Sequence, residues 1–147
     1  MTTRRQLIAA LPLLALVRPA AATPEEMTQA IAAYTQGAKL QKGRVAIDIA
    51  KLIDNGNAVP LTVRMDSPMT EQDHVTDIAI FNERNPLPDV VRFQLTPLAG
   101  KAEVSTRIRL ATSQTITALA RTSDGQWWQQ TVDVIVTLAA CVEGEGI

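Results

Sequence analysis

One cysteine and one histidine occur among 147 residues. A lone thiol cannot close a disulfide within its own chain. With His74 as the only imidazole, a metal site would need carboxylates and that thiol, and no recurring ligand spacing is present. Glycine-rich phosphate loops are absent. Aromatic residues make up only 3% of the chain, so a core must be built from Val, Ile, Leu and Ala, which the 46% hydrophobic fraction can supply. No Lys/Arg cluster stands anywhere in the body of the chain, which excludes a nucleic-acid-binding surface. The 14 basic and 15 acidic residues are mixed along the chain, a pattern of folded rather than disordered protein. The apolar run at the N-terminus falls short of the roughly 20 residues a permanent membrane anchor requires. No repeat of fixed period appears, so a solenoid or propeller is not expected. The length suits one domain behind a targeting segment.

Residues 1–22 read as that segment. Arg4-Arg5 precede an apolar stretch over residues 7–17, Arg18-Pro19 break it, and Ala20-Ala21-Ala22 offer small side chains for a signal peptidase. The arginine pair points to the twin-arginine export route, although Leu7 stands where Phe is usual and no Lys follows; a general secretory signal is the alternative. Cleavage after Ala22 removes Arg4, Arg5 and Arg18 and no acidic residue, taking the formal charge from −1 to −4. In an oxidising compartment a lone thiol is either joined to another molecule or kept for reaction.

Residues 23–44 are expected to form a short helix and a linker. Thr23 can cap, Pro24 suits the first helical position and Glu26 can complete a capping box. Met27, Ile31 and Tyr34 fall on one side, and Gly37 offers a stop. From Val45 onward the apolar period becomes two. Alternating or apolar segments at 45–49, 59–65, 75–81, 90–95, 104–110, 115–121 and 127–138 are separated by Asp54-Asn55-Gly56-Asn57, Asp66-Ser67-Pro68, Asn85-Pro86-Leu87-Pro88, Thr96-Pro97 and Ser123-Asp124-Gly125. About seven strands with one apolar face each specify an all-β antiparallel two-sheet sandwich over 45–138. The Cys…Trp…Cys spacing of a disulfide-linked immunoglobulin domain is missing.

The chemistry-bearing residues are few. His74 follows Glu71 and Asp73 in a polar loop and reads as an exposed residue; a Cys141–His74 nucleophile pair has nothing to bring it together. Trp127 and Trp128 are adjacent in a strand, so their rings point to opposite faces, one into the core and the other to solvent or a partner. Arg107 and Arg109 share a face, either solvated or meeting an anion or another subunit. Residues 139–147 form a tail. Leu138-Ala139-Ala140-Cys141 imitates a lipid-attachment box, but lipidation needs the box directly behind an apolar signal. If the last strand ends near Leu138, the thiol reaches about 10 Å beyond it. Glu143-Gly144-Glu145-Gly146 cannot bury it, so Cys141 is expected to project into solvent.

Together these blocks resemble the SoxY family, the sulfur-carrier subunit of the periplasmic Sox thiosulfate-oxidising system. The resemblance runs from about Val45 to Cys141. It is carried by Asp66-Ser67-Pro68-Met69-Thr70, Asn85-Pro86-Leu87-Pro88, Thr96-Pro97, the segment from Gly100 to Ala111, Ser123-Asp124-Gly125 and the valine-rich last strand. The resemblance implies an immunoglobulin-like sandwich with an N-terminal helix, a periplasmic location and pairing with a SoxZ-like subunit. It also implies a covalent sulfur attachment site at Cys141, no cofactor or metal of its own, and catalysis left to the Sox thiosulfate-oxidising enzymes that receive the C-terminal arm. The family's arm is Gly-Gly-Cys-Gly-Gly, whereas here Ala139, Ala140, Val142 and Glu143 surround the cysteine. Such an arm is stiffer than a glycine arm, and Val142 adds bulk beside the sulfur. Glu143, Glu145 and the terminal carboxylate disfavour the thiolate, each charge by roughly 0.6 kcal/mol at about 7 Å in water before screening. An exported scaffold whose tail no longer carries sulfur, and a thiol that merely cross-links two chains, remain the alternatives to a carrier.

Overall fold

The computed structural model describes residues 21–138. Helix α1 spans Pro24–Thr35. Its capping box is complete: the Glu26 amide donates to Thr23 Oγ1 at 3.2 Å, and the Thr23 amide donates to Glu26 Oε2 at 3.1 Å. The helix stops at Thr35, two residues before Gly37, with Gln36 between them in the left-handed conformation at φ 55°. Just ahead of the cap, Ala22 is buried and its N–H donates to the Asn85 carbonyl at 2.7 Å.

Nine strands follow among the described residues: β1 Leu40–Lys42, β2 Val45–Asp48, β3 Leu52–Asn55, β4 Val59–Met65, β5 Val75–Asn82, β6 Asp89–Gln94, β7 Glu103–Ile108, β8 Gln114–Thr122 and β9 Trp127–Leu138. The large sheet has the order β1-β9-β8-β5-β6, with β3 also on β9; the small sheet has the order β2-β4-β7. The expected all-β sandwich is therefore present, with two short strands, β1 and β3, added to the seven legible by period. Both lie parallel to β9, at its start and its end. Between them the chain leaves the large sheet through Gly43 (φ 97°) and Arg44 (φ 60°) to form β2 in the small one. Neither Leu40–Lys42 nor Leu52–Asn55 shows a sustained apolar alternation, and they exist because β9 offers them a long edge.

The main core lies between the sheets. Strand β4 shows how the period builds it: Val59, Leu61, Val63 and Met65 are buried, while Pro60 and Arg64 face solvent. They meet Ile78 and Ile80 of β5 and Ile116, Ala118 and Ala120 of β8. A second cluster lies on the other face of the large sheet, where Met27 and Ile31 of α1 cover Ala79, Phe81, Leu119 and Trp127. The helix thus makes a third layer, and β5 and β8 are buried on both faces.

Tyr34 closes the edge of this helix cluster. Its ring centroid lies 5.2 Å from Trp127 and 5.8 Å from Phe81, and the Arg92 guanidinium stacks over it at 4.3 Å. Burial first, and then the charge of Asp77, push its hydroxyl above the ordinary 10.0. A raised phenol value contributes stability that is fully present below pH 10.0 and is lost as pH rises through the folded-state value. Melting temperature should therefore fall on alkaline titration more steeply in the native chain than in Tyr34→Phe. Parallel curves for the two would refute the assignment.

Candidate functional site at the root of the C-terminal arm

Residues 139–147, with Cys141, lie outside the described residues, so the site is built from what holds and surrounds their attachment point. Strand β9 is bonded on both sides at its end. On one side β8 runs antiparallel, pairing Gln114 with Val134, and the Val136 amide continues beyond it by donating to Ser113 Oγ at 2.9 Å. On the other side β3 runs parallel, with Leu52 opposite Ile135 and Asn55 opposite Leu138. The Ile135 amide donates to the Lys51 carbonyl at 2.8 Å. Thr137 Oγ1 reaches the carbonyls of Ile53 and Asp54 at 3.3 and 3.1 Å.

The last carbonyl is held as well. Leu138 O accepts from the Gly56 amide at 3.0 Å, and Gly56 O in turn accepts from the Leu110 amide at 2.8 Å. Gly56 sits in the turn that the sequence marked at Asp54-Asn55-Gly56-Asn57, where Asn55 Oδ1 accepts from the Asn57 amide at 2.9 Å. Besides reversing the chain, the turn therefore ties the end of β9 to the β7–β8 connection. The arm starts from a fixed point.

Three large apolar side chains are exposed around that point. Leu52, Ile135 and Leu138 are 62%, 60% and 66% exposed, and they account for three of the five large hydrophobic side chains exposed among the described residues. Leu52 and Ile135 are neighbours across the β3–β9 ladder. That pair stands on the outer face of β9, while Leu138, three residues further on, turns to the opposite face. Lys51, Asp54 and Asp133, all exposed, stand beside them.

The other residues singled out by sequence lie elsewhere. His74 is half-buried rather than exposed, because its loop folds onto the Ser123 turn. Its amide donates to Ser123 Oγ at 3.1 Å, its carbonyl accepts from the Ser123 amide at 2.8 Å, and Nδ1 lies 3.0 Å from the Thr70 carbonyl. That turn precedes β9, and eleven residue steps along β9 place His74 about 35 Å from the root of the arm. A Cys141–His74 pair therefore has no support. In the same turn, hydrogen bonds from the Thr122 hydroxyl and the Gln126 amide hold the Asp124 carboxyl below its ordinary 3.8.

Neither tryptophan faces solvent freely. Trp127 is buried under α1, and Trp128 packs against the inter-sheet core with the Arg44 guanidinium 5.0 Å over its ring. Of the two places expected for the second indole, solvent or a partner, free solvent is not what Trp128 meets: it is half-buried on the inter-sheet side. Arg107 and Arg109 are both exposed. No group of three His, Cys, Asp or Glu able to hold a metal occurs among the described residues, and no helix there is long and apolar enough to cross a membrane.

One network was missed by the sequence reading. Asn85, read only as part of a turn, donates through Nδ2 to the Arg109 carbonyl at 2.7 Å. Its Oδ1 accepts from the Ala111 amide and from Gln114 Nε2, both at 3.0 Å. It thereby joins the β5–β6 loop to the β7–β8 connection that also holds the root of the arm. An Asn-Pro pair ahead of a strand carries no hint of a long-range partner. Asn85→Ala should lower unfolding free energy by about 2–4 kcal/mol, since three bonds go and their partners are left short. Urea denaturation measures this, and a loss below about 0.5 kcal/mol would show the network to be replaceable by water.

Three comparisons bear on this arrangement. The family described as sulfur oxidation protein SoxY matches residues 31–141. No curated protein sequence matches the chain. Among solved structures, the sulfur carrier protein SoxY from Chlorobium limicola f thiosulfatophilum is similar with a TM-score of 0.65 and 29% identity, covering 78% of this chain and 98% of that one. A superoxide reductase (neelaredoxin) from Ignicoccus hospitalis is similar with a TM-score of 0.57 and 11% identity, covering 78% and 94%. A putative superoxide reductase from Thermotoga maritima gives 0.55 and 19%, covering 70% and 89%. At such identities the reductases share the sandwich and nothing further is carried over.

Proposed function

Since the chain belongs to the SoxY family of sulfur oxidation proteins, we propose that it is a covalent sulfur carrier, with Cys141 as the attachment site and partner enzymes as the catalysts. The observation that carries this reading is the root of the arm: the cysteine-bearing segment begins where β9 ends, at a clamped position beside exposed Leu52, Ile135 and Leu138. A carrier needs a rigid body, a short tether and a contact surface near its base, and these residues meet the first and last of those needs.

The chemistry assigned to Cys141 is as follows. Its thiolate forms an S–S bond to the outer sulfur of thiosulfate, and two electrons pass to an electron-accepting protein of the system. Water then cleaves the bond between that sulfur and the sulfonate group, releasing sulfate and protons and leaving a persulfide on the chain. Partner enzymes then oxidise the outer persulfide sulfur to a sulfonate, with three waters supplying its oxygens and six electrons passing to electron-accepting proteins of the system. A further water then releases it as sulfate and restores the thiol. None of these steps requires a metal or cofactor held by this domain. The exposed Leu52–Ile135 pair and Leu138 serve as contact points for the partner enzymes and a SoxZ-like subunit. Residues 1–22 direct the chain to the periplasm by the twin-arginine route.

Intact-mass measurement of protein recovered from cells oxidising thiosulfate tests the proposal. Thiosulfate-derived and sulfane-sulfur adducts on Cys141 are expected. The Ala139, Ala140, Val142 and Glu143 surroundings favour one other reading, a scaffold subunit that no longer carries sulfur. A thiol found unmodified throughout would establish that reading and remove ours.

A further inference from the structure

The Asp54-Asn55-Gly56-Asn57 turn carries reactive chemistry besides its hydrogen bonds. In an asparagine followed by glycine, the side-chain amide lies open to attack by the next backbone nitrogen, because glycine has no Cβ to crowd the ring that forms. Of the chain's four asparagines, only Asn55 precedes glycine. Asn85 precedes Pro86, which has no N–H. Asn82 is fully buried, and Asn57 precedes Ala58, whose methyl group crowds the same ring. Two contacts at Asn55 and Gly56 have opposite effects. The Asn57 amide donates to Asn55 Oδ1 at 2.9 Å, which folds the side chain back over the turn and draws electron density from its carbonyl carbon. The electrophile is thus exposed and activated. The nucleophile is restrained: Gly56 is buried, and its N–H is held by the Leu138 carbonyl at 3.0 Å.

We propose that Asn55 is a deamidation site kept closed by the end of β9. Reaction requires the Gly56 nitrogen to lose its proton and attack Cγ of Asn55. While the N–H lies against Leu138 O, the nitrogen is not free to turn toward Cγ. The rate therefore follows the fraction of time for which the Leu138 carbonyl is withdrawn. On attack a new N–C bond forms, the bond from Cγ to its NH2 breaks, and ammonia leaves. Water then opens the ring at either carbonyl and leaves aspartate or isoaspartate at position 55. A water is taken up and an ammonia released, with no oxidant or cofactor involved. Isoaspartate routes the main chain through the side-chain carbon and lengthens it by a methylene. Gly56 is then displaced from Leu138 O on one side, and on the other from the Leu110 amide, which its own carbonyl holds at 2.8 Å. Both products also set a negative charge beside Asp54. The modified turn no longer ties β9 to the β7–β8 connection, so an opening of this joint can become permanent. The site is independent of sulfur carriage.

Peptide-mass mapping during prolonged incubation in mildly alkaline buffer tests this, because it reads the replacement of amide by acid at each asparagine. In the chain unfolded by guanidinium, Asn55 is expected to react first of the four. In the folded chain its reaction should be slower by more than about tenfold. Thr137→Val removes the hydroxyl bonds to the carbonyls of Ile53 and Asp54 and keeps a β-branched residue in the strand. It should speed deamidation of the folded chain by about three- to thirtyfold. Amide hydrogen exchange at Gly56 should rise in parallel. Equal rates in the folded and unfolded chains overturn the proposal, as does another asparagine reacting first in the unfolded chain. A rate unchanged by Thr137→Val, or one that rises while exchange at Gly56 does not, also overturns it.

Discussion

Replacing Cys141 by serine is expected to abolish thiosulfate oxidation by the reconstituted system, an effect of several orders of magnitude on turnover. The reason is chemical: an alcohol oxygen forms no persulfide and no stable bond to the sulfane sulfur, so the chain has nothing on which to carry the substrate. The substitution falls after the end of β9 at Leu138, and the melting temperature of the variant should stay within experimental scatter of the native protein. Oxygen or cytochrome reduction with thiosulfate reads the first outcome, and a thermal melt reads the second. Retained turnover would end the carrier reading. Loss of turnover accompanied by unfolding would show that the thiol serves the fold instead.

The largest effect on stability is expected at Phe81. It is fully buried on the helix-facing side of β5, against Tyr34, and shares its cluster with Met27, Ile31 and Trp127. Phe81→Ala should cost about 3–5 kcal/mol, combining lost transfer energy with the cavity left between sheet and helix. Against a total of about 5–15 kcal/mol for a domain, such a loss leaves a barely folded chain. The urea midpoint should drop with little change in slope. A cost below about 1 kcal/mol would mean that α1 does not cover this face.

The sequence reads well wherever apolar spacing is sustained. Strand β4, with every second residue buried, and the Thr23 and Glu26 capping box appear as spacing requires. Reading fails where the structure depends on a partner remote in sequence. Leu40–Lys42 and Leu52–Asn55 become strands only because β9 lies beside them. Trp128 is enclosed because a second layer arrives on its face, which no local pattern announces. Asn85 is informative only once Arg109, Ala111 and Gln114 are brought to it. The root of the arm was legible as a strand end and as a turn, but not as the single joint that Gly56 makes of them.

That joint bears on what happens when an enzyme tugs the tail. Tension applied at Leu138 acts along the axis of β9, whose ladders with β8 and β3 lie across the direction of pull. Such ladders are loaded in shear and must yield together, whereas a strand peeled from one end breaks a bond at a time. On the carrier reading proposed above, an enzyme that draws the tail into its interior drags the whole domain toward itself, and the domain's body becomes the stop that limits how deep the sulfur can travel.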